Sequence, residues 1–268
     1  MLIIGESLNA TIPAVHQAVI DHDESKIASL ARTQAGCGAN MLDVNAAVPG
    51  QSEVEDLVWM VQTVQQATDL PLVLDSSNPE ALEAALAIHK GPTPIINSIT
   101  GEMKEEHVGL LQLAVKHNCG LVGMCMDEAG ISSDPEVRCS IAVKLLERAT
   151  SAGLEPENLY IDPLVMAIAA DYAAGAVSLE VLRLIHERLP QVSTFCGASN
   201  ISYGMPLRKL LNSTFVSMQM ALGMNAFLVD VRNRQLMATL LAANTLIGQD
   251  EWSIGYIKAY RSGRLDHR

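Results

Sequence analysis

Polar residues recur along this chain at one point of a repeating pattern, directly after short apolar runs: Glu6 and Asn9, Asp43 and Asn45, Asp75 and Ser76, Asn97 and Ser98, Asp162, Asn200, and Asp230 with Arg232. Carboxylates accept hydrogen bonds and amides both donate and accept, so a ring of such groups suits two kinds of ligand. One is a hard cation such as magnesium; the other is a flat heterocycle whose guanidine-like edge presents paired N–H groups. The residue types alone leave both open. Helix capping explains Ser77, Asn78 and Asp230 but not the number of carboxylates. Asn200 lies in Gly197-Ala198-Ser199-Asn200-Ile201-Ser202-Tyr203-Gly204, where small residues after the apolar Val192–Phe195 let the backbone approach a ligand. An Asx-type turn at a strand–helix junction is the plain structural alternative for that asparagine.

These residues need a scaffold that gathers strand ends, and the chain carries a regular one. Apolar strands are predicted at Leu2–Ile4, Met41–Asn45, Pro71–Asp75, Thr93–Asn97, Gly120–Met124, Leu159–Asp162, Val192–Phe195 and Asn225–Val229. Helical segments alternate with them. One covers Glu24–Ala35, one opens with the Ser52/Glu55 capping box, and one opens with Asn78, Pro79 and Glu80 and runs to His89. Others cover Lys104–His117, the stretch from Asp134 to Ala152, and Ser178–Leu189. Strand–helix units of roughly thirty residues, repeated about eight times, predict an α/β fold: a parallel eight-stranded sheet closed into a (β/α)8 TIM barrel. An open doubly wound sheet would carry G-x-G-x-x-G after a strand, whereas Gly36-Cys37-Gly38 follows a helix. No linker, low-complexity tract or composition break interrupts the pattern, so residues 1–268 read as one domain. In such a barrel the strands' C-terminal ends form the active-site rim, where the polar residues named above fall.

Composition narrows the function. A formal net charge of −12 excludes a nucleic-acid binder, which needs a positive face. No apolar run approaches the roughly 20 residues that span a bilayer, and Met1–Ile4 passes into Gly5-Glu6 without a signal-peptide pattern. The cysteines, Cys37, Cys119, Cys125, Cys139 and Cys196, are odd in number and form no C-x-x-C pair, which suits reduced thiols in a cytoplasm. The histidines show no H-E-x-x-H or other metal spacing, so no resident metal site is expected.

Leu2 to Asn9, Leu42-Asp43-Val44-Asn45, Leu74-Asp75-Ser76-Ser77-Asn78, Ile96-Asn97-Ser98, Tyr160-Ile161-Asp162-Pro163-Leu164, Gly197 to Ser202 and Leu210 to Phe215 follow one another in a distinctive order. Together they resemble the pterin-binding methyltransferases. The resemblance is closest to the methyltetrahydrofolate:corrinoid protein methyltransferases, a family related to the folate module of cobalamin-dependent methionine synthase and to dihydropteroate synthase. It implies that Asp75, Asn97 and Asp162 hold the pyrimidine edge of a pterin, that Asn200 reaches the methyl-bearing N5, and that Glu6, Asn9, Asp43, Asn45 and Ser98 line the same floor. It implies tetrahydrofolate or 5-methyltetrahydrofolate as substrate and a homodimer. The chain lacks the Asp-x-His-x-x-Gly loop of a corrinoid-binding domain, so the corrinoid is expected on a separate protein. Ala198, where such proteins often carry leucine, Asp127, where an asparagine is expected, and Tyr203-Gly204-Met205-Pro206 depart from the family pattern.

The chemistry that the resemblance implies makes a specific demand. An amine leaves its methyl group only if it becomes positive, so N5 must be protonated before or during transfer. Asn200 is no acid; it can stabilise the cationic form through a hydrogen bond that strengthens as charge appears. The sequence does not set the direction of transfer. A dihydropteroate synthase-like enzyme would need a pyrophosphate-accepting first loop and a Ser-x-Arg element near the last strands, and neither is recognisable here. A non-catalytic folate-binding barrel and a magnesium-dependent lyase are the other readings. Binding without corrinoid turnover marks the first, and metal-dependent activity the second.

Overall fold

A computed structural model describes residues 1–102 and 104–265. Eight parallel strands close into a barrel in sequence order: β1 (Leu2–Asn9), β2 (Met41–Asn45), β3 (Leu72–Asp75), β4 (Ile95–Thr100), β5 (Gly120–Met124), β6 (Leu159–Asp162), β7 (Ser193–Gly197) and β8 (Ala226–Val229). The helices around it are α1 (Pro13–Ile20), α2 (Glu24–Gly36), α3 (Glu53–Ala67), α4 (Pro79–Ile88), α5 (Glu105–His117), α6 (Pro135–Ser151), α7 (Ala174–Arg188), α8 (Arg208–Ala221), α9 (Arg234–Leu246) and α10 (Ile254–Arg261).

Local sequence explains where the helices begin. The side chain of Asn78 accepts from the amides of Glu80 and Ala81 while Pro79, which has no amide hydrogen to lose, occupies the first turn of α4. Ser52 caps α3 through the Glu55 amide, and Asp134 caps α6 through Glu136. Asp230, read above as a cap, is not one: Asn233 caps α9 through the Leu236 amide, and Asp230 instead binds the Arg232 guanidinium at 2.8 Å.

Strand side chains alternate between two faces, so each strand feeds two apolar cores. Ile4, Met41, Val73, Ile95, Val122, Phe195 and Ala226 point to the barrel axis and form one buried cluster. Their neighbours, among them Leu42, Leu72, Ile96, Leu121, Ile161, Cys196 and Phe227, point outward and join the larger core beneath the helices.

Two strands run past their predicted ends. The ladder of β1 continues to Asn9 rather than stopping at Ile4, and that of β4 to Thr100 rather than Asn97. Both contain a register shift, between Gly5 and Leu8 in one and between Ile96 and Ile99 in the other. The polar residues inside each bulge hide the strand from an apolar-run reading. Helix α1 has Pro13 at its first position but no side-chain cap, and the C-terminal α10 has neither signal.

The bulge in β1 is supported from outside the sheet. Buried Gln34 on α2 accepts the Ser7 amide at 2.9 Å. Its carbonyl oxygen occupies the space where a Cβ on Gly5 would stand. Gly5→Ala is therefore expected to lower stability by about 1–3 kcal/mol through overpacking. Adding Gln34→Ala should recover only part of that loss, because the Ser7 amide then lacks its acceptor; equilibrium urea unfolding of both variants checks this.

Candidate active site

Two residues beyond the apolar floor of the barrel, the same alternation must present a second inward layer. Continuing each strand by one period brings Glu6, Asp43, Asp75, Asn97, Met124, Asp162, Gly197 and Leu228 to the axis at the C-terminal ends. Of the polar residues singled out on β1 to β4 and β6, Glu6, Asp43, Asp75, Asn97 and Asp162 therefore share one layer, while Asn9, Asn45 and Ser98 follow it along their strands. Ser76 does not join them: it faces the α3 side, where its hydroxyl donates to Glu53 at 2.5 Å and accepts the Asn78 amide. Met124 and Gly197 went unnoticed in the sequence as members of this layer, although counting two residues on from Val122 and Phe195 finds both.

The carboxylates in this layer are crowded and dry. Asp43 is fully buried, and among the described residues neither of its oxygens has a partner in strict hydrogen-bonding geometry. Burial, with the nearby Asp75 charge, holds its proton well above the usual carboxylate range; Glu6 adds to the effect, while the amides of Asn97 and Asn9 oppose it. Burial also raises Asp75, against the hydrogen bond that Asn45 Nδ2 donates to its Oδ2 at 3.1 Å. Burial pushes Glu6 up to about 7, reinforced by Asp230 and opposed by Arg232 and Arg208. Asp162 is pushed up to about 7 as well, mainly by burial, against the Leu164 amide that it accepts at 2.8 Å and the charge of Arg138.

Two further rim residues divide their side chains between structure and site. The carbonyl oxygen of Asn9 accepts from the amide and hydroxyl of Thr11, at 3.0 and 2.7 Å, and that of Asn45 accepts the Ala47 amide. Ser98 is half-buried next to Asn97, and the peptide bond joining them is cis. Among the described residues, no group of three or more His, Cys, Asp and Glu side chains comes together as a metal cage.

Asn200 reaches the rim differently, because it follows a strand end that has no side chain. After Gly197 the backbone turns through a 3-10 segment, Ala198–Ser202. This brings the Asn200 carboxamide nitrogen to 3.9 Å from the place a Gly197 Cβ would occupy. Arg208 pins the turn, donating to Ser199 O at 3.0 Å and to Ser202 Oγ at 3.1 Å, with its guanidinium 5.9 Å from the centre of the Tyr203 ring. The Asx-type turn does not form. Among the described residues the Asn200 side chain has no hydrogen-bond partner and is exposed at the mouth.

A closed (β/α)8 barrel with proton-holding acids, amides and an unengaged carboxamide around one mouth belongs to the class of small-molecule enzymes that use this rim as their active site. A family profile described as pterin binding enzyme matches residues 5–230. The chain belongs to that family of pterin-binding enzymes. A methylcorrinoid:tetrahydrofolate methyltransferase of Eubacterium limosum is 36% identical over 267 residues, covering 99% of this chain and 98% of that protein. A methionine synthase of Mycobacterium leprae is 30% identical over 241 residues, 85% of this chain and 20% of that longer protein. A dihydropteroate synthase of Xanthomonas albilineans with 4-aminobenzoic acid superposes with a TM-score of 0.68 at 21% identity, covering 93% of each chain, which is a likeness of fold.

The raised acids make stability depend on pH. Glu6 and Asp162 keep their protons to about 7 when folded, whereas unfolded carboxyls lose theirs near about 4. Between these values the folded state binds more protons at both sites, so the stability that Glu6 and Asp162 contribute in the ligand-free protein falls as pH rises from about 4 to about 7. Glu6→Gln and Asp162→Asn should each flatten part of that slope, as read from urea midpoints at pH 5 and pH 8.

Proposed function

We propose that this protein transfers a methyl group between a corrinoid carried by a separate protein and N5 of tetrahydrofolate. The observation that carries the reading is the meeting, at one barrel mouth, of an inward ring of acids and amides with the Asn200 carboxamide, which has no partner among the described residues. Support also comes from the resemblance along nearly the whole length to a protein named for this reaction.

A pterin ring is flat and presents paired N–H groups along its pyrimidine edge. Asp75, Asn97 and Asp162 offer acceptors at the right layer of the barrel, and Asn45 orients Asp75 through its own hydrogen bond. Buried Asp43, beside the side chains of Asn97 and Asn9, adds a further polar group to the same layer. Glu6, Asn9 and Ser98 complete the wall. Below the ring, the apolar cluster from Ile4 to Ala226 keeps water out.

The corrinoid, when its protein docks, supplies the methyl group and takes back the electron pair of the bond that breaks; N5 gains the methyl and gives up its proton. The name of the Eubacterium limosum protein favours this direction. Positive charge builds on N5 as the new bond forms. The Asn200 carbonyl oxygen can accept the N5 hydrogen at that moment, and the hydrogen bond strengthens with the charge. Arg208 acts on this step by holding the turn on which Asn200 sits. We read the chain as a single domain, 1–268, acting in the cytoplasm, where its five free thiols would persist. A homodimer is consistent with the exposed Leu246, Trp252, Ile254 and Tyr260 at the C-terminal end.

Asp75→Ala should weaken tetrahydrofolate binding by about 1–3 kcal/mol, because it leaves pterin donors buried without an acceptor; calorimetry showing unchanged affinity would contradict the placement of the ring. Asn200→Ala should slow single-turnover methyl transfer, followed by the corrinoid spectrum, by far more than it weakens folate binding. Asn200→Asp should keep more activity than alanine, since it retains an acceptor. Equal losses of rate and affinity in Asn200→Ala would reduce Asn200 to a binding residue.

A further inference from the structure

Arg138, on α6, is a buried cation whose partners are unusual. It is 2% exposed, and among the described residues no carboxylate lies within ion-pair distance of it. Its guanidinium instead donates to backbone carbonyls: Nε to Ser132, in the loop after β5, and Nη1 to Pro163 at 3.2 Å and Leu164 at 3.0 Å, in the loop after β6. A buried charge without a counter-charge is costly, so its surroundings should show what offsets it.

They do, one peptide away. The carbonyl of Pro163 and the amide of Leu164 are the two ends of a single peptide unit. Arg138 binds the carbonyl end, and the amide end donates to Asp162 Oδ1 at 2.8 Å. Guanidinium, peptide and carboxylate thus form one hydrogen-bonded chain in which each dipole points the same way, an arrangement that strengthens its members. Leu164 sits at φ 62°, a left-handed conformation that a leucine rarely adopts, and both its amide and its carbonyl are tied by these bonds.

We propose that Arg138 is a positioning residue for the Asp162 carboxylate, acting through the Pro163–Leu164 peptide. It fixes the direction of Oδ1 and leaves Oδ2 free to face the barrel mouth. It also supplies the positive charge that opposes the burial of Asp162. The other titratable groups facing Asp162 are the thiols of Cys125 on the β5 side and Cys196 on β7, both held neutral because burial pushes them well above their ordinary value. Facing Arg138 are Cys125, Asp162 and Asp171. What Oδ2 meets rests on the pterin reading; the relay from Arg138 to Asp162 does not.

The test is the carboxyl titration of Asp162 in the ligand-free protein, followed by carbon-13 NMR and assigned by the signal lost in D162N. The wild-type midpoint is expected at about 7. R138M should move it upward by roughly half a pH unit or more, because the opposing charge and the polarised amide are both lost. R138Q, whose amide still satisfies a buried carbonyl, should move it the same way and serves if R138M does not fold. An unmoved midpoint in whichever variant is folded would overturn the proposal, since a residue that only braces the loop lowers the melting temperature without changing proton affinity. Tetrahydrofolate affinity against pH in the same variants separates the two readings. A moved NMR midpoint that the affinity profile ignores leaves the relay standing and places the pterin elsewhere.

Discussion

In a closed parallel barrel each strand must offer every second side chain to the axis, and a slip by one residue would exchange its whole inward set for its outward one. Most of what is distinctive about this protein depends on that constraint. Val73 lies inside and Leu74 outside, so Asp75 lies inside. The same count leads from Ile95 to Asn97 and from Tyr160 to Asp162. The apolar floor and the polar layer are therefore one pattern read at two heights. Where β7 reaches the polar layer it carries Gly197, and the vacant position is approached by Asn200 from the next turn.

Gathering carboxylates in this way has an electrostatic consequence. Asp43, Asp75 and Glu6 cannot all be ionised at close quarters in a dry barrel, and burial together with mutual repulsion keeps protons on them. Amides from Asn9, Asn45 and Asn97 are interleaved with the acids and limit the penalty. The loops that follow the strands carry their own supports: Arg208 holds the turn after β7, and Arg138 the loop after β6. Arg138 meets backbone carbonyls, and Arg208 one backbone carbonyl and the Ser202 hydroxyl, which allows a cation to brace a loop near an acidic rim without an ion pair to it.

Much of this was legible in the sequence because both signals are local. Apolar runs ending in Asp or Asn fix the strands, and Asn78-Pro79-Glu80 and Ser52 with Glu55 mark helix starts through capping chemistry that survives in the fold. The gaps have equally physical causes. The bulges at Glu6-Ser7 and Asn97-Ser98 break the apolar run while the hydrogen-bond ladder continues, so β1 and β4 look short. Asp230 resembles a cap because caps and ion-pair partners use the same residue types; in the fold Asn233 caps α9 and Asp230 binds Arg232. Gln34 and Arg138 act across long stretches of sequence, on Ser7 and on Pro163 and Leu164, and no local pattern announces such a contact.

In the proposed reaction the inward layer at the barrel mouth holds a pterin by its pyrimidine edge with N5 presented to Asn200. A crystal structure of the protein grown with tetrahydrofolate tests it most directly. The ring is expected inside the mouth, hydrogen-bonded to Asp75, Asn97 and Asp162, with the Asn200 carboxamide within hydrogen-bonding distance of N5. A folate bound away from these residues, for instance in the groove lined by Met1, Gly38 and Arg264 at the opposite side of β1, would contradict it.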